Sequence, residues 1–154
     1  MQDDQARNYR TIVVPYDFSP HAKVALRAAT DLAGRLGSKL HLVHVVQPPS
    51  YSYAYGTGVG VVPIAPVIDM AEVREGATSS LREVVSQIQG FDGSVTSHVL
   101  EGTSISASLC EISKELCGDL IVMGTHGRTG LAHVFLGSVA ERTQIGRASC
   151  RERV

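Results

Sequence analysis

The chain of 154 residues has little net charge and no long apolar run. A formal net charge of −1 argues against a strongly basic surface, and therefore against nucleic acid or an anionic membrane as a partner. No apolar stretch approaches the roughly 18 residues that a membrane-spanning helix needs. The polar, acidic start at Met1–Gln5 is unlike a secretory signal. These absences predict a cytoplasmic protein.

The few cysteines, Cys110, Cys117 and Cys150, match no metal or redox pattern. Their spacing fits neither a zinc knuckle nor a CxxC pair, so we expect reduced thiols with no special chemistry. Two common nucleotide motifs are also missing. The absence of GxxxxGK(S/T) excludes the usual P-loop, and the absence of GxGxxG argues against a Rossmann dinucleotide site.

The patterns that are present predict a single α/β domain, for which this length and 44% hydrophobic residues suffice. Four segments have the apolar patterns of buried or half-buried strands: 11–16, 40–46, 95–100 and 119–123. Three segments repeat apolar residues at helical spacing: 20–37, 67–89 and 104–118. This alternation predicts an open, doubly wound parallel sheet, with the strand at 95–100 near its edge.

Residues 47–66 form a long predicted loop between the second strand and the second helix. They include four prolines, three glycines and three tyrosines, and they show no helical period. Loops of this length in compact domains are usually functional or mobile. Two interpretations stay open: a disordered surface excursion, and a cover over a ligand or partner surface formed by the alternating Tyr51, Tyr53 and Tyr55.

A glycine-patterned segment, Gly124-x2-Gly127-x9-Gly137-Ser138, begins where the fourth predicted strand ends. Gly124 and Gly127 allow positive φ and a close approach of the backbone to a ligand, and the N–H groups of such a loop can surround an anion. Gly137 and Ser138 open a further predicted helix, whose free N–H groups favour a phosphate. Because ligands bind beyond the carboxyl ends of strands in doubly wound sheets, the pattern predicts a phosphate site. A tight turn without a ligand is the open alternative.

Three segments resemble the universal stress protein (UspA-like) family: TIVVPYDFSPHAKVALRAATDLA at 11–33, HLVHVV at 41–46 and DLIVMGTHGRTGLAHVFLGSVAERT at 119–143. The resemblance covers about residues 11–143, and the G-x2-G-x9-G-(S/T) spacing is that of the family's ATP-binding branch. It implies a three-layer α/β/α fold of the adenine nucleotide alpha hydrolase-like type. It also implies a homodimer that acts in stress response by nucleotide-dependent regulation or assembly. No catalytic residue is implied, although weak ATP hydrolysis is compatible with this function.

The resemblance further implies which residues bind ATP: Pro15, Tyr16, Asp17, Val45, Met123, Gly124, Gly127, Arg128, Gly137 and Ser138. Asp17 would accept hydrogen bonds from the adenosine hydroxyls, with Pro15 and Tyr16 lining the same pocket. Val45 would pack on the adenine, and Met123 and Gly124 would lie beside the ribose and phosphates. The remaining residues would surround the phosphates, together with a magnesium or manganese ion that no protein side chain is expected to ligate.

Two other functions stay open. The first is a nucleotide-free interaction or dimerisation module of the same family. The second is a related α/β enzyme that adenylylates a substrate. That enzyme class usually carries SGGxDS or HxGH near a strand end, and neither motif occurs here. Nucleotide released from the purified protein on denaturation would favour ATP binding over the first alternative.

The final segment, residues 144–154, does not continue the family pattern. The resemblance implies a fifth strand here, but the segment is basic and shows no strand pattern. One possible back-translation of it matches a common sequencing-library adaptor. We therefore expect the universal stress protein domain to span 1–143 and 144–154 to be non-native. The fifth strand would then be missing, and the exposed apolar strand edge would weaken the dimer.

Overall fold

The structure is a computed structural model that describes residues 9–48, 68–124 and 138–143. In chain order, its elements are β1 (Thr11–Pro15), α1 (Pro20–Leu36), β2 (Lys39–Val46), α2 (Met70–Ser86), β3 (Val95–Glu101), α3 (Ile105–Glu115) and β4 (Leu120–Ile121). Residues 138–143 are also helical. None of the helices in these three ranges is long and apolar enough to cross a membrane.

The strands form one parallel sheet in the order β3-β2-β1-β4. From β1 the chain moves in one direction to β2 and β3, and it then returns past β1 to β4. The winding therefore reverses between β1 and β4, and this confirms the predicted open, doubly wound parallel sheet. The strand predicted near the sheet edge, β3, is at the edge of the described sheet.

The core has two apolar layers, one on each face of the sheet. Because alternate residues of a strand point to opposite faces, Ile12 packs with Leu26 of α1 and Leu81 of α2, whereas Val13 packs with Leu109 of α3. The helices α1 and α2 therefore cover one face and α3 covers the other. This is the three-layer α/β/α arrangement that the resemblance implied.

Local chemistry explains where α1 begins and ends. The Ser19 hydroxyl oxygen accepts the N–H of Ala22 at 3.1 Å. Pro20 occupies the first turn, where no backbone N–H is needed. Gly37 ends the helix in the left-handed conformation, with a φ of 66°. The sequence predicted both of these boundaries.

Several other boundaries differ from the predicted ranges, and α3 spans Ile105–Glu115 instead of 104–118. The helix α2 starts at Met70, inside the predicted range 67–89, because the Asp69 carboxylate caps it there. The strand β4 spans Leu120–Ile121 instead of 119–123, although the N–H groups of the flanking Asp119 and Val122 still donate to carbonyls of β1.

Most of the predicted loop 47–66 and all of segment 144–154 lie outside the described residues. The domain boundary at residue 143, the missing fifth strand and the weakened dimer therefore stay predictions.

Candidate functional site

Several of the predicted nucleotide residues lie at the carboxyl edge of the sheet, at or beyond the ends of β1, β2 and β4. The strand β1 ends at Pro15, and Tyr16 and Asp17 follow it directly. Because Val13 pairs with Ile121 in parallel register, the end of β4 and the following Met123 and Gly124 reach the same edge. Pro15 pairs with Val43 of β2, so Val45 lies beyond it on the neighbouring strand.

The turn from β1 into α1, residues 16–19, has an unusual backbone. Phe18 has a φ of 64°, in the left-handed region, which costs a residue with a side chain roughly 1–2 kcal/mol. The Asp17 carboxylate accepts the N–H of Ser19 through Oδ1 at 3.0 Å. Within the part of the chain that the structure describes, its Oδ2 accepts no hydrogen bond. One oxygen of the half-buried Asp17 is therefore available to a ligand.

His44 on β2 holds this turn from outside. Its Nδ1 lies 2.7 Å from the carbonyl oxygen of Tyr16. A carbonyl oxygen only accepts hydrogen bonds, so Nδ1 carries the proton and donates it. The Phe18 ring packs edge-on against both neighbours, with centroids 5.0 Å from His44 and 5.3 Å from Tyr16. His44 is a polar residue in an apolar strand, and the sequence analysis did not predict this bond.

Tyr16 contributes to the site through its backbone. Its side chain is only 4% exposed and packs in the core layer beneath α1. Burial raises the pKa of the phenol, and the neighbouring Asp17 raises it further. The phenol therefore stays neutral, and we expect the ring to support the turn rather than line a ligand pocket.

Gly124 is needed for space. A Cβ at this position would lie 3.1 Å from the Cβ of His21 and 3.2 Å from its carbonyl carbon. The end of β4 therefore passes very close to the first turn of α1. Gly124 does not use the positive φ that glycine allows, since the positive-φ glycines among the described residues are Gly37 and Gly90.

Val45 lies on the other face of the sheet from Tyr16. It is half-buried against the α3 layer, with Leu100 and Ile105 as neighbours in the same cluster. A Cβ on Gly102 would lie 3.7 Å from its Cγ1. Val45 thus presents an apolar surface close to the carboxyl edge.

The phosphate end of the predicted site is described only in part. Gly127, Arg128 and Gly137 lie outside the described residues. Ser138 is exposed at the start of the helical stretch 138–143. That stretch packs on the α3 face, since Val139 joins the α3 layer. Within the described ranges, no group of three or more His, Cys, Asp or Glu side chains is arranged to hold a metal ion.

A separate groove of about 800 Å³ lies between α1 and α2. It is lined by Tyr16 and Phe18 and by side chains of both helices, among them Arg27 and Glu83. These helices cover the face opposite to Val45 and α3. The groove therefore lies on the face opposite to Val45, and it shares Tyr16 with the nucleotide site that the sequence predicts.

Asp119 and His41 have structural partners away from this edge. The Asp119 Oδ2 accepts the N–H groups of Arg10 and Thr11 at 2.8 and 2.9 Å, and so joins the beginnings of β1 and β4. His41 lies 3.0 Å from His98 on β3, measured from Nδ1 to Nε2, and the two rings stack. The sequence did not predict this pair.

Comparison with known proteins identifies relatives that span nearly the whole chain. The sequence profile described as the Universal stress protein family matches residues 8–150. Universal stress protein MJ0531 of Methanocaldococcus jannaschii is 29% identical over 143 residues, which cover 92% of this chain and 79% of that protein. The universal stress protein UspA from Lactobacillus plantarum superimposes with a TM-score of 0.70 at 22% identity, and the match covers 90% of this chain and 92% of that one.

Two further solved structures contain an adenine nucleotide. The universal stress protein from Archaeoglobus fulgidus in complex with dAMP has a TM-score of 0.59 at 21% identity, covering 90% of this chain and 91% of that one. A universal stress protein in complex with cAMP has a TM-score of 0.60 at 20% identity, with 90% of each chain covered. At these identities the likeness establishes the shared fold, and the ligands are properties of those proteins.

Proposed function

Because the chain belongs to the universal stress protein family, we propose that it binds ATP, or a close adenine nucleotide, at the carboxyl ends of β1 and β4. Binding would act in stress response by changing conformation or assembly. The relatives of this fold that were solved with dAMP and with cAMP support an adenine nucleotide as the ligand.

One observation carries the proposal: three features that suit a nucleoside lie at the carboxyl ends of the neighbouring strands β2, β1 and β4. Asp17 keeps one carboxylate oxygen available, and such an oxygen accepts hydrogen bonds from ribose hydroxyls. Val45 offers an apolar surface for the base. Gly124 brings the backbone close to α1 with no side chain in the way. These residues fit the nucleoside half of the ligand.

The phosphate half of the proposed site depends on the glycine pattern. Gly127, Arg128, Gly137 and Ser138 surround the phosphates, because backbone N–H groups at a helix start and a cationic side chain both favour anions. A magnesium or manganese ion would neutralise part of the phosphate charge. No residue is proposed as catalytic, and weak hydrolysis is not required for the function.

The direct test is to look for nucleotide in the purified full chain. We expect chromatography of the denatured protein to reveal a bound adenine nucleotide, or titration calorimetry to detect ATP binding to the stripped protein. Asp17→Asn should weaken ATP binding about tenfold, the equivalent of about 1.4 kcal/mol, by removing the charged acceptor. His41→Asn is the control, because His41 faces His98 away from this edge.

Two results would count against the proposal. Absence of released nucleotide together with no calorimetric signal at millimolar ATP would favour the nucleotide-free interaction module. Rapid ATP turnover that depends on a small acceptor would favour the adenylylating enzyme. Homodimer formation in the full-length protein and a cytoplasmic location stay predictions from the resemblance.

A further inference from the structure

We infer that His44 is a positioning residue for the nucleotide site: it holds the β1–α1 turn in the conformation that leaves one Asp17 oxygen open to the ribose. This inference rests on the proposed nucleotide function. It concerns a side chain that lies on β2, outside the glycine pattern and outside the turn itself.

The backbone of the turn needs an external support. Phe18 has a left-handed φ of 64°, which a residue with a side chain adopts only when its surroundings impose it. Two contacts within the turn stabilise this backbone: the Ser19 N–H donates to Asp17, and the Ser19 hydroxyl caps α1. Both contacts are local to residues 17–22, so they do not anchor the turn to the sheet.

One backbone bond, from the Tyr16 N–H to the Val43 carbonyl at 2.8 Å, ties the start of the turn to β2, and His44 adds a side-chain anchor from the same strand. Its Nδ1–H donates to the Tyr16 carbonyl at 2.7 Å. Within the described residues, no other side chain from outside the turn and α1 forms a hydrogen bond with residues 16–19. Its ring also contacts the Phe18 ring, with centroids 5.0 Å apart. The bond restrains the peptide group immediately before Asp17, and the ring contact restrains the residue immediately after it.

The chemistry of the bond defines informative variants. His44→Asn keeps an N–H on the atom attached to Cγ, as Nδ1 is, so it can still donate to the Tyr16 carbonyl. His44→Gln moves its amide one bond further out, and His44→Leu removes the donor while keeping an apolar side chain. We therefore expect the asparagine variant to rescue function where the other two do not. His41→Leu is the matched control on the same strand.

The experiment measures the affinity of the full chain for ATP, 2′-deoxy-ATP and 3′-deoxy-ATP by titration calorimetry. We expect His44→Leu and His44→Gln to bind ATP about tenfold more weakly, by loss of one charge-assisted contact made through Asp17. We expect wild type to bind one of the two deoxy analogues more weakly than ATP. The His44→Leu and His44→Gln variants should bind ATP and that analogue with similar affinity. His44→Asn should stay within about threefold of wild type, and His41→Leu should keep both affinity and preference. The double variant Asp17→Asn/His44→Leu should bind no more weakly than Asp17→Asn.

A second readout does not depend on nucleotide. The Ser19 N–H donates to Asp17, so its hydrogen exchange reports the turn directly. We expect at least about tenfold faster exchange of this amide in His44→Leu than in wild type, with the Leu42 amide of β2 unchanged. If wild type binds no nucleotide but Ser19 exchange accelerates, the proposed function fails and the turn anchor stands. Unchanged Ser19 exchange, or additive effects of the Asp17 and His44 changes, would overturn the inference.

Discussion

The backbone is shaped in opposite ways at the two strand ends that form the candidate site. At the end of β1, side chains impose a left-handed backbone at Phe18, and His44 and Ser19 hold it. At the end of β4, Gly124 has an ordinary φ, and its role is the absence of a side chain beside His21. A ligand site can therefore be shaped by side-chain contacts at one strand end and by the lack of a side chain at another.

The largest effect is expected at the β4 end, where an added Cβ would require His21 to shift by a few tenths of an ångström. Gly124→Ala would place its Cβ 3.1 Å from the Cβ of His21, so we expect a loss of roughly 1–3 kcal/mol in the free energy of unfolding. The matched control is Gly76→Ala in α2, where a Cβ meets nothing within 4 Å. The higher helix propensity of alanine should raise the free energy of unfolding of this variant by about 1 kcal/mol. Urea denaturation measures both, and equal changes in the two variants would refute the contrast.

At the β1 end, the cap of α1 should matter less but measurably. Ser19 is buried, and its hydroxyl oxygen accepts the Ala22 N–H at 3.1 Å. Ser19→Ala should lower the free energy of unfolding by about 1 kcal/mol, determined by the same denaturation assay. Ser86→Ala, at an exposed serine at the end of α2, should change it by less than about 0.5 kcal/mol. A harmless Ser19→Ala would show that the turn does not depend on this cap.

A smaller effect, dependent on pH, should come from the opposite side of β2 and not from the site. Burial lowers the pKa of His41, with His98 and Lys39 lowering it further, and burial also lowers the pKa of His98. A histidine with a folded pKa below its unfolded value of about 6.5 stabilises the fold above that pH and loses this contribution as the pH falls. We therefore expect the free energy of unfolding to decrease from about pH 7 towards pH 5.

The double variant His41→Gln/His98→Gln tests the origin of that slope. Urea denaturation at several pH values should give a shallower decrease for the variant than for wild type. ATP affinity at pH 7 should be unchanged, because the pair does not contact the β1–α1 turn. An equal slope in both proteins would assign the pH dependence to other groups.

The smallest effect is expected for the exposed ion pair between α2 and the end of β3. The Nη1 of Arg74 lies 3.7 Å from Oε1 of Glu101, and the two side chains are 62% and 45% exposed. Glu101→Gln should change the free energy of unfolding by less than about 0.5 kcal/mol, and the change should shrink as salt is added. A loss above 1 kcal/mol at moderate salt would show that this edge is more tightly coupled than its exposure indicates.

Much of the fold could be predicted because its signals are local. Ser19, Pro20 and Gly37 marked both ends of α1, and the apolar runs marked the strands. The glycine pattern begins at the carboxyl edge of the sheet, where Gly124 does not use the positive φ that glycine allows. Steric fit against His21 depends on a residue about a hundred positions away in the chain, so a local pattern does not reveal it.

The origin of segment 144–154 stays a separate prediction. The family profile match extends to residue 150 and so includes the first part of this segment. Genomic sequence across residue 144 decides the question: the same codons in the genome would refute an adaptor origin.

By itself, the sequence determined the element order, the parallel α/β class and the family, because periodicity, caps and motifs are properties of short segments. Only the tertiary structure decided which side chains meet. The register of β2 against β1 brings His44 to the Tyr16 carbonyl, and its register against β3 brings His41 to His98. Strand register is set by the packing of both sheet faces together, and it is this register that assigns one histidine to the candidate site and the other to the sheet edge.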